Sequence, residues 1–330
     1  MKAGAPVSHP AVRRRTSSGR RPVAVPQGRD SPKVDGSARR PSQLGAWVLM
    51  VPALAVLLLM TVAPAVYILR ASFRNDTLLG AGGSWVGLEN YRFLLTDPAT
   101  RHSLLVTLSF VAVAVTLQLL IGLLLAQTLA GRTKSNTLAT TLMLLPFAVT
   151  PAVSALIARE LLNPNYGWIN HYLGKLGLPG GIEWLSDPST AWIAIIGLDT
   201  WQWTPFVALI LIAGLQALPR EPLEAAAIDG ANRRQTFRHV ILPQLMPFIA
   251  IAVVLRVIQA FKTFETFKVL TNGGPGVSTE IINLSIHRVA LQSFRIGAAS
   301  ATAVFFLIVL LLLIPALLRA VGRNAQPEEA

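Results

Sequence analysis

The feature that most constrains this chain is a succession of apolar runs, each long enough to cross a hydrocarbon core, for which about 20 residues suffice. They cover residues 44–69, 103–130, 138–158, 191–218, 247–270 and 297–318. Backbone in lipid must satisfy its own N–H and C=O groups, and segments of this length do so as helices. The expected fold class is therefore an all-α membrane protein with six transmembrane helices. The composition agrees, since 52% of the 330 residues are hydrophobic and 14% charged, with a mean hydropathy of +0.53. That is too apolar for a soluble domain. The first run is too long, and lies too far from Met1, to be a cleaved signal peptide.

The formal charge of +13 raises the question of nucleic acid. The basic residues lie mainly in residues 1–43 and in short loops between apolar runs, which fits the positive-inside rule rather than a binding face. No specific nucleic-acid partner is expected. Residues 1–43 combine Arg13-Arg14-Arg15, Arg20-Arg21 and Arg39-Arg40 with many Pro, Ser and Gly and few apolar residues, and read as a disordered cytosolic tail. Six crossings put both termini on one side. If that side is the cytosol, Lys134, Arg220, Arg233, Arg234, Arg319 and Arg323 also fall inside. The domain plan is then a tail over 1–43, a six-span domain over 44–323 and a cytosolic end over 324–330.

Catalytic chemistry is missing from the sequence. There is no GxxxxGK[ST] phosphate loop, no HExxH and no GxSxG, and the five histidines are scattered. With no cysteine there is no thiolate ligand or nucleophile. No catalytic residue, metal site or bound cofactor is expected.

Between the fourth and fifth runs lies a polar island, residues 219–246. Pro222 suits a first helical turn, and Gly230 can take the left-handed conformation that stops a helix. A second short helix fits Arg233 to Val240, limited by Pro243. Pro146 and Pro151 are expected to bend the third span.

Within that island, Glu224-Ala225-Ala226, Asp229-Gly230-Ala231, Phe237 and Leu242-Pro243 resemble the EAA loop of bacterial ATP-binding-cassette importer permeases. Asn90-Tyr91 also resembles that family, and Tyr166-Gly167-Trp168-Ile169-Asn170, Trp184 to Pro188 and the TNGGPG turn at Thr271 to Gly276 resemble its carbohydrate branch. The resemblance implies a type I permease bundle in the bacterial inner membrane, with both termini cytoplasmic. It implies a second homologous permease subunit, two ABC ATPase subunits that use the ATP, an extracytoplasmic substrate-binding protein and contact with membrane lipid. Glu224, Ala225, Ala226, Asp229, Gly230, Ala231 and Phe237 would then form the ATPase-coupling helix and its support.

Polar groups inside spans need a reason, because a charge near a helix centre costs about 2.5 to 3.5 kcal/mol by insertion scales. Arg256, Gln259, Thr263 and Thr266 recur at steps of three or four and share one face of the fifth span. Lys262 and Glu265 are spaced to neutralise one another. On the fourth span Asp199, Trp201, Gln202 and Trp203 combine aromatic faces with hydrogen-bonding groups, which suits a sugar. Gln118 is a further candidate. The solute-path set is therefore Arg256, Gln259, Thr263, Thr266, Trp201, Gln202 and Trp203; interfacial anchoring is the competing role for the tryptophans, and snorkelling for Lys262 and Glu265. The function expected is a permease subunit supplying half of an import path for a sugar, polyol or glycerol phosphate. An ion-coupled secondary transporter and a non-transporting scaffold are the alternatives.

Overall fold

The computed structural model describes residues 43–80, 82–131, 133–178 and 180–323. The expected tail (1–42 of it), Arg132 and the end 324–330 lie outside the described residues. Two compact units meet in sequence at Leu58 and Leu59. The first is described only from Gln43, where it is helical. The second, Leu59–Ala330, contains the helical bundle.

The elements are α1 (Gln43–Ala71), α2 (Glu89–Thr96), α3 (Pro98–Leu129), α4 (Lys134–Met143), α5 (Leu145–Ala148), α6 (Pro151–Leu161), α7 (Trp168–Lys175) and α8 (Pro188–Ala217). They continue with α9 (Glu221–Ile228), α10 (Arg233–Thr236), a π-turn (Phe237–Ile241), α11 (Leu242–Lys262), α12 (Glu265–Leu270), α13 (Ile282–Leu291) and α14 (Ile296–Arg323). Among the described residues the only β pairings are two isolated bridges, Arg74 with Trp85 and Thr77 with Arg295.

Two of the long helices, α3 and α8, start where the sequence supplies caps. Asp97 accepts from the Thr100 amide at 2.9 Å ahead of Pro98, and Asp187 accepts from the Ser189 amide at 2.9 Å ahead of Pro188. The Ser189 hydroxyl and the amides of Ser189 and Thr190 hold the Asp187 carboxyl below the usual carboxylate range.

Among the described residues, five segments are long and apolar enough to cross a membrane: Met50–Ala71, Pro98–Leu129, Pro188–Ala217, Arg233–Lys262 and Ile296–Arg319. The expected span 138–158 is instead a broken one, Lys134–Ala148 and Pro151–Leu161, meeting at 91°. The two prolines do more than bend it. Pro146 and Pro151 each stand in a first helical turn, and Val149 between them is extended at ψ 136°.

The fifth span also departs from expectation. A separate short helix before Pro243 does not form; helix runs on from Arg233 to Lys262, because the Leu242 amide bonds to the Phe237 carbonyl and widens the turn ahead of Pro243. Its far end comes at Lys262 rather than at Leu270. Thr263 takes ψ 138° and Phe264 φ −148°, after which α12 sets off afresh.

α3, α8 and α11 form the centre of the bundle. Small residues let them close up: a Cβ on Gly122 would lie 3.0 Å from Val207 Cγ1, and one on Gly214 would lie 2.6 Å from Phe248 Cγ. Two apolar clusters fill the space, one around Phe110, Ile195, Phe261, Phe267 and Phe306, the other around Ala126, Leu211, Leu245 and Ala252. Between them along these helices sit Gln118, Asp199 and Arg256, all buried.

The TNGGPG turn is fixed to the bundle. Trp192 Nε1 donates to the Ser278 carbonyl at 3.1 Å, and the Ile282 amide donates to Thr107 Oγ1 at 2.9 Å. Glu280 pairs with Arg288 at 2.6 Å, and burial raises its carboxyl in spite of that cation.

Candidate functional site

The two helix breaks meet at a polar cavity of about 410 Å³. One wall is the kink, Phe147 to Pro151; another is Gln202 and Trp203 of α8; the third is Gln259 and Lys262 of α11, Thr263 in the break and Glu265 at the start of α12. Non-helical backbone at membrane depth persists only when its freed groups find partners. Here side-chain amides provide them. Gln202 Nε2 donates to the Val149 carbonyl at 2.6 Å, and Asn283 Nδ2 donates to the carbonyls of Phe261 and Thr263 at 2.8 and 2.9 Å.

Of the seven residues expected to form a solute path, the structure brings Gln202, Trp203, Gln259 and Thr263 to this cavity. Three lie elsewhere. Trp201 is two residues from Trp203, about 200° around the helix, and lines an apolar groove with Leu117, Ile121 and Ile193. Thr266 is buried in α12, because the break at Thr263 ends the continuous face on which the stripe depended.

Arg256 is 1% exposed and does not line the cavity. Its Nε donates to Gln118 Oε1 and its Nη2 to Asp199 Oδ2, while Gln118 Nε2 donates to the same Asp199 oxygen at 2.7 Å. These three groups form a closed ring across α3, α11 and α8, through Arg256 Nε and Nη2, both polar atoms of the Gln118 amide and Asp199 Oδ2. The guanidinium also lies 4.8 Å from the centroid of the Trp203 ring.

Lys262 and Glu265 both reach the cavity, but among the described residues no ion pair joins them. The break between the two residues replaces the helical spacing that would have paired them. Sequence reasoning missed the kink backbone and Asn283. The prolines flanking Val149 were the available signal for the first; nothing local signals the second.

At the far end of α8, α9 stands out from the bundle. Glu224, Ala225 and Asp229 are exposed, Ala226 is buried, and Ile228 is 86% exposed. Gly230 has φ +73°, its amide bonds to the Ala227 carbonyl at 3.2 Å, and the Ala231 amide bonds to the Ala226 carbonyl at 3.0 Å. That pair of bonds is a Schellman stop, which needs the left-handed residue between them. Asn232 and Gln235 then form a reciprocal capping box that starts α10. Phe237 and Ala231 sit under the turn, facing Leu215, Leu223 and Gln127 across a pocket of about 450 Å³.

Comparison with known proteins gives the chain its family. The permease protein MalF of a trehalose/maltose transport system in Thermococcus litoralis is 36% identical over 270 residues, covering 82% of this chain and 91% of that protein. The sn-glycerol-3-phosphate permease protein UgpA of Pectobacterium atrosepticum is 31% identical, covering 83% and 94%. A chain of a bacterial alginate ABC transporter, crystallised in complex with an alginate-bound periplasmic protein, has the same fold, with a TM-score of 0.74 at 20% identity over 85% of this chain and 95% of that one. The family profile described as binding-protein-dependent transport system inner membrane component matches residues 100–326. This chain belongs to that family of inner-membrane permease subunits.

Proposed function

We propose that the chain supplies half of the translocation path of an ATP-driven importer for a sugar, or for a related polyol or glycerol phosphate. The observation that carries the reading is an open cavity at the junction of two broken helices, into which Gln202, Gln259, Lys262, Thr263 and Glu265 bring polar groups. Broken helices in transporters place backbone and side-chain polar groups where a solute needs them. Gln202, Gln259 and Thr263 offer hydrogen bonds to hydroxyls, and the Trp203 ring offers a face for sugar C–H surface. The solutes named for the relatives support the carbohydrate class.

Coupling falls to α9. Glu224, Ala225 and Asp229 present charge and close-approach surface on a projecting helix, Ala226 seats it, and Gly230, Ala231 and Phe237 fix its angle to α10 and α11. The occupant of that surface is one of two separate ATPase subunits, which bind and hydrolyse the ATP. A second homologous permease completes the path, a substrate-binding protein delivers solute from outside, and lipid surrounds the spans. Both termini are cytoplasmic, so that α9 faces the cytosol. The test is uptake into proteoliposomes by the assembled importer. Uptake that needs internal ATP and continues after ionophores collapse all ion gradients is the expected result; uptake driven by an ion gradient alone would mean a secondary transporter.

A further inference from the structure

A fully buried arginine inside a membrane bundle is costly unless its surroundings use it. Tying three helices together would be satisfied by Asp199 and Gln118 alone. The third contact is of a different kind. Asp199 and Trp203 stand four residues apart on α8 and so share one side of the helix. Arg256 meets both: its Nη2 reaches the carboxylate while its Cζ stands 4.8 Å from the indole centroid. Trp203 also packs edge to face against Phe147 of the kink, at 5.5 Å, and against Phe206, at 6.3 Å. The indole is therefore held by the ring of polar groups on one side and by the kinked span on another, and it still lines the cavity.

We infer that Arg256 is a positioning residue for the solute path: anchored by Asp199 and Gln118, it fixes the Trp203 ring against the cavity and sets solute affinity without touching solute. The inference rests on the reading of the cavity as the solute path. It explains why a guanidinium is used here, since a planar, permanently charged group can hydrogen-bond at its edge and stack with its face at the same time. An ammonium at this position would keep the charge and lose that double geometry.

The experiment uses the complete importer in proteoliposomes with radiolabelled maltose as probe, other labelled sugars being substituted if wild type does not take it up. Five variants are compared: Trp203→Ala, Gln259→Ala, Arg256→Lys, the charge-neutral pair Arg256→Gln with Asp199→Asn, and that pair combined with Trp203→Ala. Membrane abundance is measured alongside KM and maximal rate. Trp203→Ala is expected to raise KM about tenfold, and Arg256→Lys or the neutral pair about fivefold, a factor that corresponds to about 1 kcal/mol, the lower part of the range for cation–π contacts. At wild-type abundance, the pair combined with Trp203→Ala should be no worse than Trp203→Ala alone. Effects that multiply would show that Arg256 acts on solute directly and overturn the inference. Loss of abundance or of maximal rate with KM unchanged would leave Arg256 a structural tie only, and also overturn it. If Trp203→Ala and Gln259→Ala both leave KM unchanged, the cavity itself is not the solute path, a failure distinct from that of the Arg256 role.

Discussion

Gln202 and Val149 are joined across the break in the third span: the side-chain amide of one donates to the backbone carbonyl of the other at 2.6 Å. Val149 is the extended residue between α5 and α6, so its carbonyl has no helical partner. A residue expected only to contact solute thus also holds the kink that shapes the cavity. Gln202→Leu should lower the melting temperature of the purified complex, with a loss of about 0.6 kcal/mol if the bond is an average one between membrane helices and about 1.7 at most. Wild-type stability in thermal unfolding would show that the kink stands without this bond.

Gly230 offers a separation of backbone from side-chain effects. Nothing lies within 4 Å of a Cβ added there, so the cost of Gly230→Val is the left-handed φ alone, about 1 to 2 kcal/mol. Uptake should fall more than ATPase activity, because α9 is re-aimed while its surface remains. Gly230→Asn, which tolerates that conformation better, should recover much of the coupling; equal impairment by Val and Asn would rule out the φ argument.

Gly214 tests close approach. Its added Cβ would meet Phe248 Cγ at 2.6 Å and Leu245 Cδ1 at 2.9 Å, so Gly214→Val should force α8 and α11 apart at about 1 to 3 kcal/mol. Gly197→Ala is the control, with open space around its Cβ. Reduced membrane abundance for the first and normal abundance for the second is the expected blot.

Sidedness can be read chemically because the chain has no cysteine. Cys at exposed Leu79 or Val277 should react with an impermeant maleimide in intact cells. Cys at exposed Ser135 or Ile228 should react only after the membrane is opened. Labelling at Ile228 from outside would reverse the proposed orientation.

Solute contact is tested by Gln259→Ala, which removes hydrogen bonds with a net worth of about 0.5 to 1.5 kcal/mol each. KM should rise by a factor of about 2 to 10 at unchanged abundance. Trp201→Ala, on the other side of α8, should leave KM alone in the same uptake assay.

The spans were legible in the sequence because length and apolarity alone decide what can cross lipid, and Gly230 was legible because a glycine after a short helix has a local reason. Both signals survive without knowledge of the fold. The break at Thr263 was not legible. It carries no proline or glycine, and the Asn283 amide that satisfies its carbonyls comes from a different helix. The polar stripe from Arg256 to Thr266 failed as a single face for the same reason. Arg256 itself was marked as needing a function, but its partners lie 57 and 138 residues away in sequence, and no periodicity reports such distances.

The passage from α10 through the π-turn into α11 makes a lever. From Arg233 to Lys262 the chain is continuously helical, about 45 Å of helix at 1.5 Å per residue, with the wide turn at Phe237–Ile241 and Pro247 inside it. One end begins three residues after Gly230 and the other forms the cavity rim. If α9 is the ATPase docking site proposed above, a push there would reach Gln259 and Lys262 through a single run of helix, and the five-residue wide turn at Phe237–Ile241 is where a twist would be taken up.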